Sequence, residues 1–536
     1  MTPRDSFKFR LLLNAMEVLD IYKEIGTSSW EDTFGFECKA TRLFFQSKMK
    51  HFTTDKKFLE ESQRQLRLFS SIKDKEVVST LFTRCANLES KLDDFQVDPK
   101  AWEQEGKSQI VFTSEWAKPF NQIPYLLPAA AIFKLYIVPF FAVLLPLCAW
   151  ILPYGILRLF FNIPMPFETY IQMMMNMWLG GRTWAQMDLW GQARIVFQTS
   201  WTVFGLVQSI YQPIQQALHA KEIDKEIVKQ GFLLQDFIQT VKHLFTIFEP
   251  YTPIRCYCIE EIPLDEPRQT YAYVREHPND LKWIVEKLAE LEVSWRLAHC
   301  KDVCFVNYTD SKEPSLIIQD LYDPSIQGIS KKVSSCEFGG DSIHALITGP
   351  NKGGKSSTLR AICLNVWLAQ TVGLAFAKKM TLTPFSWIRS GLRLADTPGE
   401  ESLFEREILF ATRTIRYAQT PKAGLGLILY DECFHSTNPP DGEKTARLFL
   451  REIWSSRSAI SIISTHVFSL VESAPASIQR LCVPAIETAT GLEYTYTLTP
   501  GICKVSSVEE LYKKYGFGKV RSKQKANLSA LNRKPQ

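Results

Sequence analysis

The residues of this chain best suited to chemistry stand in three short runs, each following an apolar stretch of strand length. The first is Gly349-Pro350-Asn351-Lys352-Gly353-Gly354-Lys355-Ser356. It fits G-x4-G-K-[ST], follows the apolar run His344–Thr348, and precedes a helical pattern that starts near Ser357. Glycines at that spacing let backbone N–H groups wrap a phosphate chain, and a helix N-terminus behind them adds partial positive charge. In such a loop Lys355 reaches the β- and γ-phosphates of ATP and Ser356 ligates Mg²⁺.

The second run is Gly426–Tyr430, which ends in Asp431-Glu432. An acidic pair at the carboxyl end of a parallel strand is suited to hold Mg²⁺ through Asp431 and to activate an attacking water through Glu432. The bland alternative is an incidental acidic turn. The third run, Ala459–Ile463, leads into Ser464-Thr465-His466. A histidine at a strand end can sense a γ-phosphate, although one histidine taken alone is more often structural.

These runs need strands and helices in alternation, and the sequence changes to that pattern near residue 313. Ser315–Ile318 and Ala345–Thr348 are short apolar runs bounded by turn residues. Upstream the patterning is helical: Phe58–Phe69, Glu76–Leu92, Glu222–Phe248 and Asp280–His299 place apolar residues on one helix face. The expected architecture is a C-terminal α/β P-loop NTPase preceded by a mostly α-helical region.

The motifs also carry a family resemblance. Gly349 to Ser357, with its Pro-Asn and double glycine, resembles the Walker A loop of the MutS family. Leu429-Tyr-Asp-Glu432, followed by Asp441-Gly442, is similar to that family's Walker B strand and D-loop aspartate, and Ser464-Thr-His466 to its H-loop. Gly399-Glu-Glu-Ser402-Leu-Phe404-Glu-Arg-Glu407 resembles its signature loop. Leu321-Tyr-Asp-Pro324 sits where the family has an Arg-His-Pro turn, and Tyr496–Ser507 resembles the closing strand and turn. The likeness extends more weakly back to Ile284–His299 and residues 55–97, which would be parts of the family's helical lever.

The resemblance implies an ABC-class fold and two composite ATP sites formed between protomers, in a homodimer or with a MutS-like partner. Ser402 would act in trans on the partner's ATP. Gly349, Pro350, Asn351, Gly353, Gly354, Lys355, Ser356 and Ser357 would bind ATP, Ser356 and Asp431 would bind Mg²⁺, and Glu432 and His466 would serve catalysis. Double-stranded DNA is the implied partner. Three features depart from the family. Cys433-Phe-His-Ser-Thr437 lacks the two glycines and the arginine usual after Walker B, and Glu400 and Glu401 stand where Gly and Arg are expected. No segment matches the mismatch-reading domain: Phe58-Leu-Glu60 has the letters of its Phe-x-Glu wedge but lies in a charged helical run.

The segment 119–190 is different in kind. Leu135–Leu157 holds no charged residue between Lys134 and Arg158; as a helix it is about 34 Å long, against about 30 Å for a bilayer core. Pro139, Pro146 and Pro153 recur every seven residues, a load that membrane helices tolerate better than aqueous ones. The reading favours membrane contact, through an even number of passes or a re-entrant hairpin. The candidate second legs are 123–133 and Phe160–Trp178. An apolar core segment or a proline-broken surface piece is the alternative.

Composition sets the outer bounds. A chain of 536 residues exceeds one compact core, and 46% hydrophobic with 22% charged residues excludes wholesale disorder. The net charge of +5 does not by itself argue for nucleic acid. Lys513, Lys514, Lys519, Arg521, Lys523, Lys525, Arg533 and Lys534, with no acidic residue among them, make a basic tail suited to phosphates. Scattered cysteines without zinc-site spacing suggest a reducing, intracellular compartment, and Arg4, Asp5, Lys8 and Arg10 argue against a secretion signal. The expected organisation is a helical region at 1–118 that would open the lever in the family sense, an apolar membrane-associated insertion at 119–190, a lever-like region at 191–312, the ATPase at 313–512 and a basic tail at 513–536. Two functions compete: a DNA-coupled MutS-like ATPase, and a membrane-integrated ABC-class ATPase for transport, remodelling or scaffolding. A degenerate nucleotide-gated scaffold ranks below both.

Overall fold

The computed structural model describes residues 32–96, 111–178, 188–252, 257–326, 333–392, 402–488, 491–507 and 512. The basic tail, Glu400, Glu401 and the N-terminal charged residues lie outside these. Two compact units emerge, Met1–Asp74 with Ala289–Gln536, and Lys75–Leu288.

In chain order the first unit opens with α1 (Lys39–Met49) and α2 (Lys56–Ser70). The second contains α3 (Lys75–Gln96), α4 (Leu126–Ile132), α5 (Val138–Leu159), α6 (Phe167–Trp178), α7 (Leu189–Phe248) and α8 (Pro267–Glu276). Helix α9 (Pro278–Ala298) contains the division between them. The first unit then resumes with β1 (Leu316–Leu321), β2 (Ser334–Phe338), β3 (His344–Thr348), α10 (Lys355–Ala369), β4 (Lys379–Leu382) and β5 (Trp387–Gly391). After these come α11 (Leu403–Ala418), β6 (Gly426–Tyr430), α12 (Pro439–Trp454), β7 (Ala459–Ser464), β8 (Ile478–Cys482) and β9 (Thr499–Pro500).

The main sheet of the first unit has the order β9-β8-β3-β7-β6-β5, parallel throughout except for β9 at its edge. Every residue of β3, β6 and β7 is buried. That is why these strands read as continuous apolar runs, as parallel strands covered on both faces do. A second sheet, ordered Asn307–Tyr308, β4, β1, β2, alternates buried and open positions along β2 and so covers the core with one face.

Helix α10 leaves the phosphate-type loop and enters the core at once, with twelve of its fifteen residues buried. A helix apolar all round must be covered on every side, and α1 and α2 supply part of that cover. Trp367 donates its indole N–H to Met49 O at 2.9 Å, and the Gln370 side chain donates to Thr53 O at 3.0 Å. Gln63 on α2 donates to Val306 O and Gly373 O, both at 2.8 Å. Phe34, Phe36, Phe45 and Leu59 enter the same apolar cluster as Ile347 of β3 and Ala361, Ile362 and Leu364 of α10. The buried Glu292 carboxylate of α9 accepts from Glu37 N at 2.8 Å, Cys38 N at 3.3 Å and Thr41 Oγ1 at 2.5 Å, so an anion sits at the N-terminus of α1.

The second unit is helical. Leu234, Phe237, Ile238 and Val241 of α7 are buried, as are Phe82 of α3 and Tyr271 of α8. Arg268 of α8 holds Asp224 of α7 through two bonds of 2.7 and 2.8 Å. Gly231 lets the helices approach closely, since a Cβ there would lie 2.1 Å from Pro267 O. The described residues of the apolar insertion are largely helical. A π-helical turn at Phe133–Ile137 joins α4 to α5 just before Pro139, while Pro146 and Pro153 lie inside α5. The helix expected from Glu222 begins much earlier, at Leu189.

His344 on β3 gives the first unit a pH dependence. Its Nε2 donates to Ser456 O at 3.2 Å, leaving Nδ1 to accept from the Ser461 hydroxyl at 2.8 Å. Burial pushes the imidazole down from 6.5 to about 4, against the raising effect of the Ser456 carbonyl. The unfolded chain therefore binds the extra proton first, and stability rises with pH between those values. This contribution, about 3 kcal/mol, is complete above pH 6.5 and lost as pH falls through 4. Urea denaturation across that range should show a decline that His344→Gln flattens.

Candidate nucleotide site

The three runs singled out in the sequence converge at the carboxyl ends of β3, β6 and β7, adjacent strands in the order β3-β7-β6. The loop after β3 turns through Gly349 at φ 152°, Lys352 at φ 68° and Gly354 at φ 104°. Gly349 also lies against the chain after β8, where a Cβ would sit 2.7 Å from Val483 O. Lys355 is the first residue of α10, and its ammonium donates to Gly349 O at 3.0 Å and Pro350 O at 3.2 Å. Burial lowers its pKa, and the carboxylates of Glu432 and Asp431 oppose that shift. Ser356 and Ser357 in the first turn of α10 are exposed, as is Asn351 in the loop.

Beyond β6, Glu432 takes a left-handed conformation at φ 50°. Its amide donates to Ser464 Oγ at 2.9 Å, and the same hydroxyl donates to Asp431 Oδ1. One serine at the end of β7 thus fixes both acidic residues at the end of β6. His466 Nε2 donates to Glu432 Oε1 at 3.0 Å. That bond is the main reason the Glu432 carboxyl titrates below its ordinary value, with burial opposing it and the charges of His466, Lys355 and His435 adding to it.

The loop where family glycines and an arginine are missing is held by other means. Phe434 is left-handed at φ 56°, and its ring is buried against Tyr430 and Phe449. His435 Nδ1 donates to Glu432 O at 2.7 Å, and Ser436 Oγ donates to the buried Glu407 carboxylate of α11. Sequence reasoning did not single out Ser464, His435 or Ser436 as site residues. A hydroxyl next to an acidic strand end was the available signal. Ser402 caps α11: Glu405 N donates to its hydroxyl at 3.3 Å, and Ser402 N donates back to Glu405 Oε2 at 2.8 Å. Asp441 is exposed in the first turn of α12. At Asp323, the carboxylate accepts from Ser325 N at 2.9 Å and faces Arg360 of α10 at 3.6 Å.

A glycine-rich loop between a parallel strand and a helix, with acidic and histidine side chains gathered at the neighbouring strand ends, defines an α/β domain of the P-loop class. The family model described as MutS domain V matches residues 345–523. Over these residues the chain is similar to the MutS family. It is 29% identical over 215 residues to a DNA mismatch repair protein MutS from Geobacillus thermodenitrificans, covering 39% of this chain and 23% of that protein. The Listeria innocua protein of the same name is 27% identical over 240 residues, 42% of this chain and 27% of the relative. That of Shouchella clausii is 27% identical over 281 residues, 51% and 31%. The chain therefore spans about a quarter to a third of the length of these relatives.

Ser464→Ala should cost about 1–3 kcal/mol, because it strands the Glu432 amide and removes a donor to Asp431. Ser464→Thr keeps the hydroxyl and should recover most of that loss in urea midpoints; equal losses in both variants would show that packing, and not the hydroxyl, matters.

Proposed function

We propose that the chain is a MutS-like ATPase that binds and hydrolyses ATP in a composite dimer site and couples the cycle to double-stranded DNA. The observation that carries this reading is the meeting of Lys355, Asp431, Glu432 and His466 at neighbouring strand ends below a glycine-rich loop. The loop suits a triphosphate: Gly349 and Gly354 adopt backbone angles that favour glycine, and the Lys355 ammonium already rests on carbonyls of the loop. In the reaction Lys355 turns to the β- and γ-phosphates. Glu432 accepts a proton from a water that attacks the γ-phosphorus, while the bond to the ADP oxygen breaks and phosphate leaves. His466 holds the Glu432 carboxylate in place. Ser356 and Asp431 would hold Mg²⁺, which supplies positive charge against the phosphate oxygens.

In the composite site Ser402 meets the partner's ATP at the N-terminus of α11, where the helix favours anions, and Asp441 lies in the D-loop. DNA as the coupled ligand follows from the relatives named DNA mismatch repair proteins and from the basic tail. A second reading is favoured by the exposed apolar side chains of α5 and α7: a membrane-integrated ABC-class ATPase with a transport, remodelling or scaffold role. Either way the segment 119–190 is proposed to contact a membrane.

Glu432→Gln should retain ATP binding and lose turnover by about 10²-fold or more; sustained hydrolysis removes Glu432 from the base role. Ser402→Ala should slow hydrolysis in both sites of a homodimer, and an unchanged rate refutes action in trans. Duplex DNA at moderate salt should stimulate the full chain's ATPase, and indifference to DNA would favour the membrane-integrated reading.

A further inference from the structure

Two stretches of the second unit lack any acidic side chain, lysine or arginine, and the helices that carry them, α5 and α7, pack against each other. One is Leu135–Leu157, between Lys134 and Arg158; the other is Ile195–Ala220, between Arg194 and Lys221, with His219 at its end. Ala131 and Leu135 are buried in one cluster with Ala220, which sets the level at which the limbs meet. Counting outward from that contact, Lys134 stands level with Lys221. At equal rise along both limbs, Arg158 falls about opposite position 197, within one turn of Arg194. On that count the two charge-free bands begin together and end within about one turn of each other. Their lengths, about 34 and 39 Å, both exceed the roughly 30 Å of a bilayer core, although by length and composition together only Leu126–Pro146 among the described residues is apolar enough to cross one.

Their exposed surfaces are largely apolar, with Gln198, Gln212, Gln215 and Gln216 also exposed on α7. On α5, Phe140, Leu145 and Leu152 are well exposed, and on α7 so are Phe197, Trp201 and Phe204, each at 58% or more. Between Ile195 and Ala220, only Ile195, Thr202, Gln208, Ile210, Pro213, Ala217 and Ala220 are partly or fully covered. The remaining positions of this stretch are exposed. Near the far end, Tyr154 packs on Phe167 and Tyr170 and donates to Met165 O at 3.1 Å, which folds α6 back on α5. Trp190, 84% exposed, stands beside Arg194 at the same end, a pairing suited to a lipid headgroup region.

We propose that Leu135–Leu157 and Ile195–Ala220 are the two legs of a helical hairpin that crosses a lipid bilayer twice. The proposal rests on the membrane contact given above and extends it past residue 190. It also replaces both candidate return legs: 123–133 continues into α5 through the π-turn, and α6, with 12 residues, is about 18 Å long. Lys134 and Lys221 then share one membrane surface, and Arg158 and Arg194 the other.

The test uses membranes from cells expressing the full chain, as sealed vesicles in which the ATPase domain is open to added trypsin. The expected result is a surviving fragment from Leu135 to Lys221 that resists alkaline carbonate and is cut at Arg158, Arg182 and Arg194 once detergent opens the vesicles. Cleavage at Arg194 in intact vesicles, with Leu135–Arg158 still protected, overturns the return leg and leaves single-segment membrane contact standing. Release of the whole chain by carbonate overturns both, and a defined soluble oligomer would then identify a second copy as the cover for these arcs.

Discussion

Helix α10 has almost no face of its own to give to water, and much of the first unit follows from that. Its first turn must stay fixed behind the phosphate-type loop, so its remaining turns need cover and hydrogen-bond partners. Asn365 accepts from Phe376 N at 2.5 Å and donates to Ala361 O at 2.9 Å. Gln370 accepts from Phe385 N at 2.9 Å, and Trp367 and Gln370 reach back to Met49 and Thr53. Buried amides left without such partners would each cost about 1–3 kcal/mol. The N-terminal helices are thus part of the apparatus that holds Lys355 in place, although Met49 and Trp367 lie 318 positions apart in sequence.

The site itself is built on strand ends, and one hydroxyl ties two strands together there. Ser464 has a single proton, which goes to Asp431, so it meets the Glu432 amide with a lone pair. The loop that follows shows how side chains replace missing glycines: the left-handed Phe434 is retained by aromatic packing, and His435 and Ser436 tie the loop to Glu432 and Glu407.

Much of this was legible in the sequence, for physical reasons. Fully covered parallel strands leave unbroken apolar runs, so β3, β6 and β7 could be read almost to the residue, and the glycine-lysine-serine run marks the start of α10. Residues 34–70 were harder. Their helices are amphipathic in the same way as any bundle helix, and nothing local says that Met49 meets the far end of α10 or that Gln63 meets the chain just beyond it. The start of α7 was hidden for another reason: Gln198, Thr199, Gln208 and Gln212 break the apolar pattern, although the helix runs through them. Ser402-x-x-Glu405 also has the spacing of a capping box, which its likeness to a signature loop left unread.

Helix α7 is one covalent rod, with a polar, well-packed end and an apolar, open end. Residues 220–248 are held by α3 and α8 in the second unit, while residues 189–219 extend roughly 45 Å beyond them. With α5 packed beside its apolar half, the rod converts angle into distance. A tilt of about 5° in the held half displaces the free end by roughly 4 Å over that length. Pro213 is the one interior proline on α7, and there the rod can give. The stiffness of that single joint therefore decides how much of a small rotation in the packed core arrives at the far tip as movement.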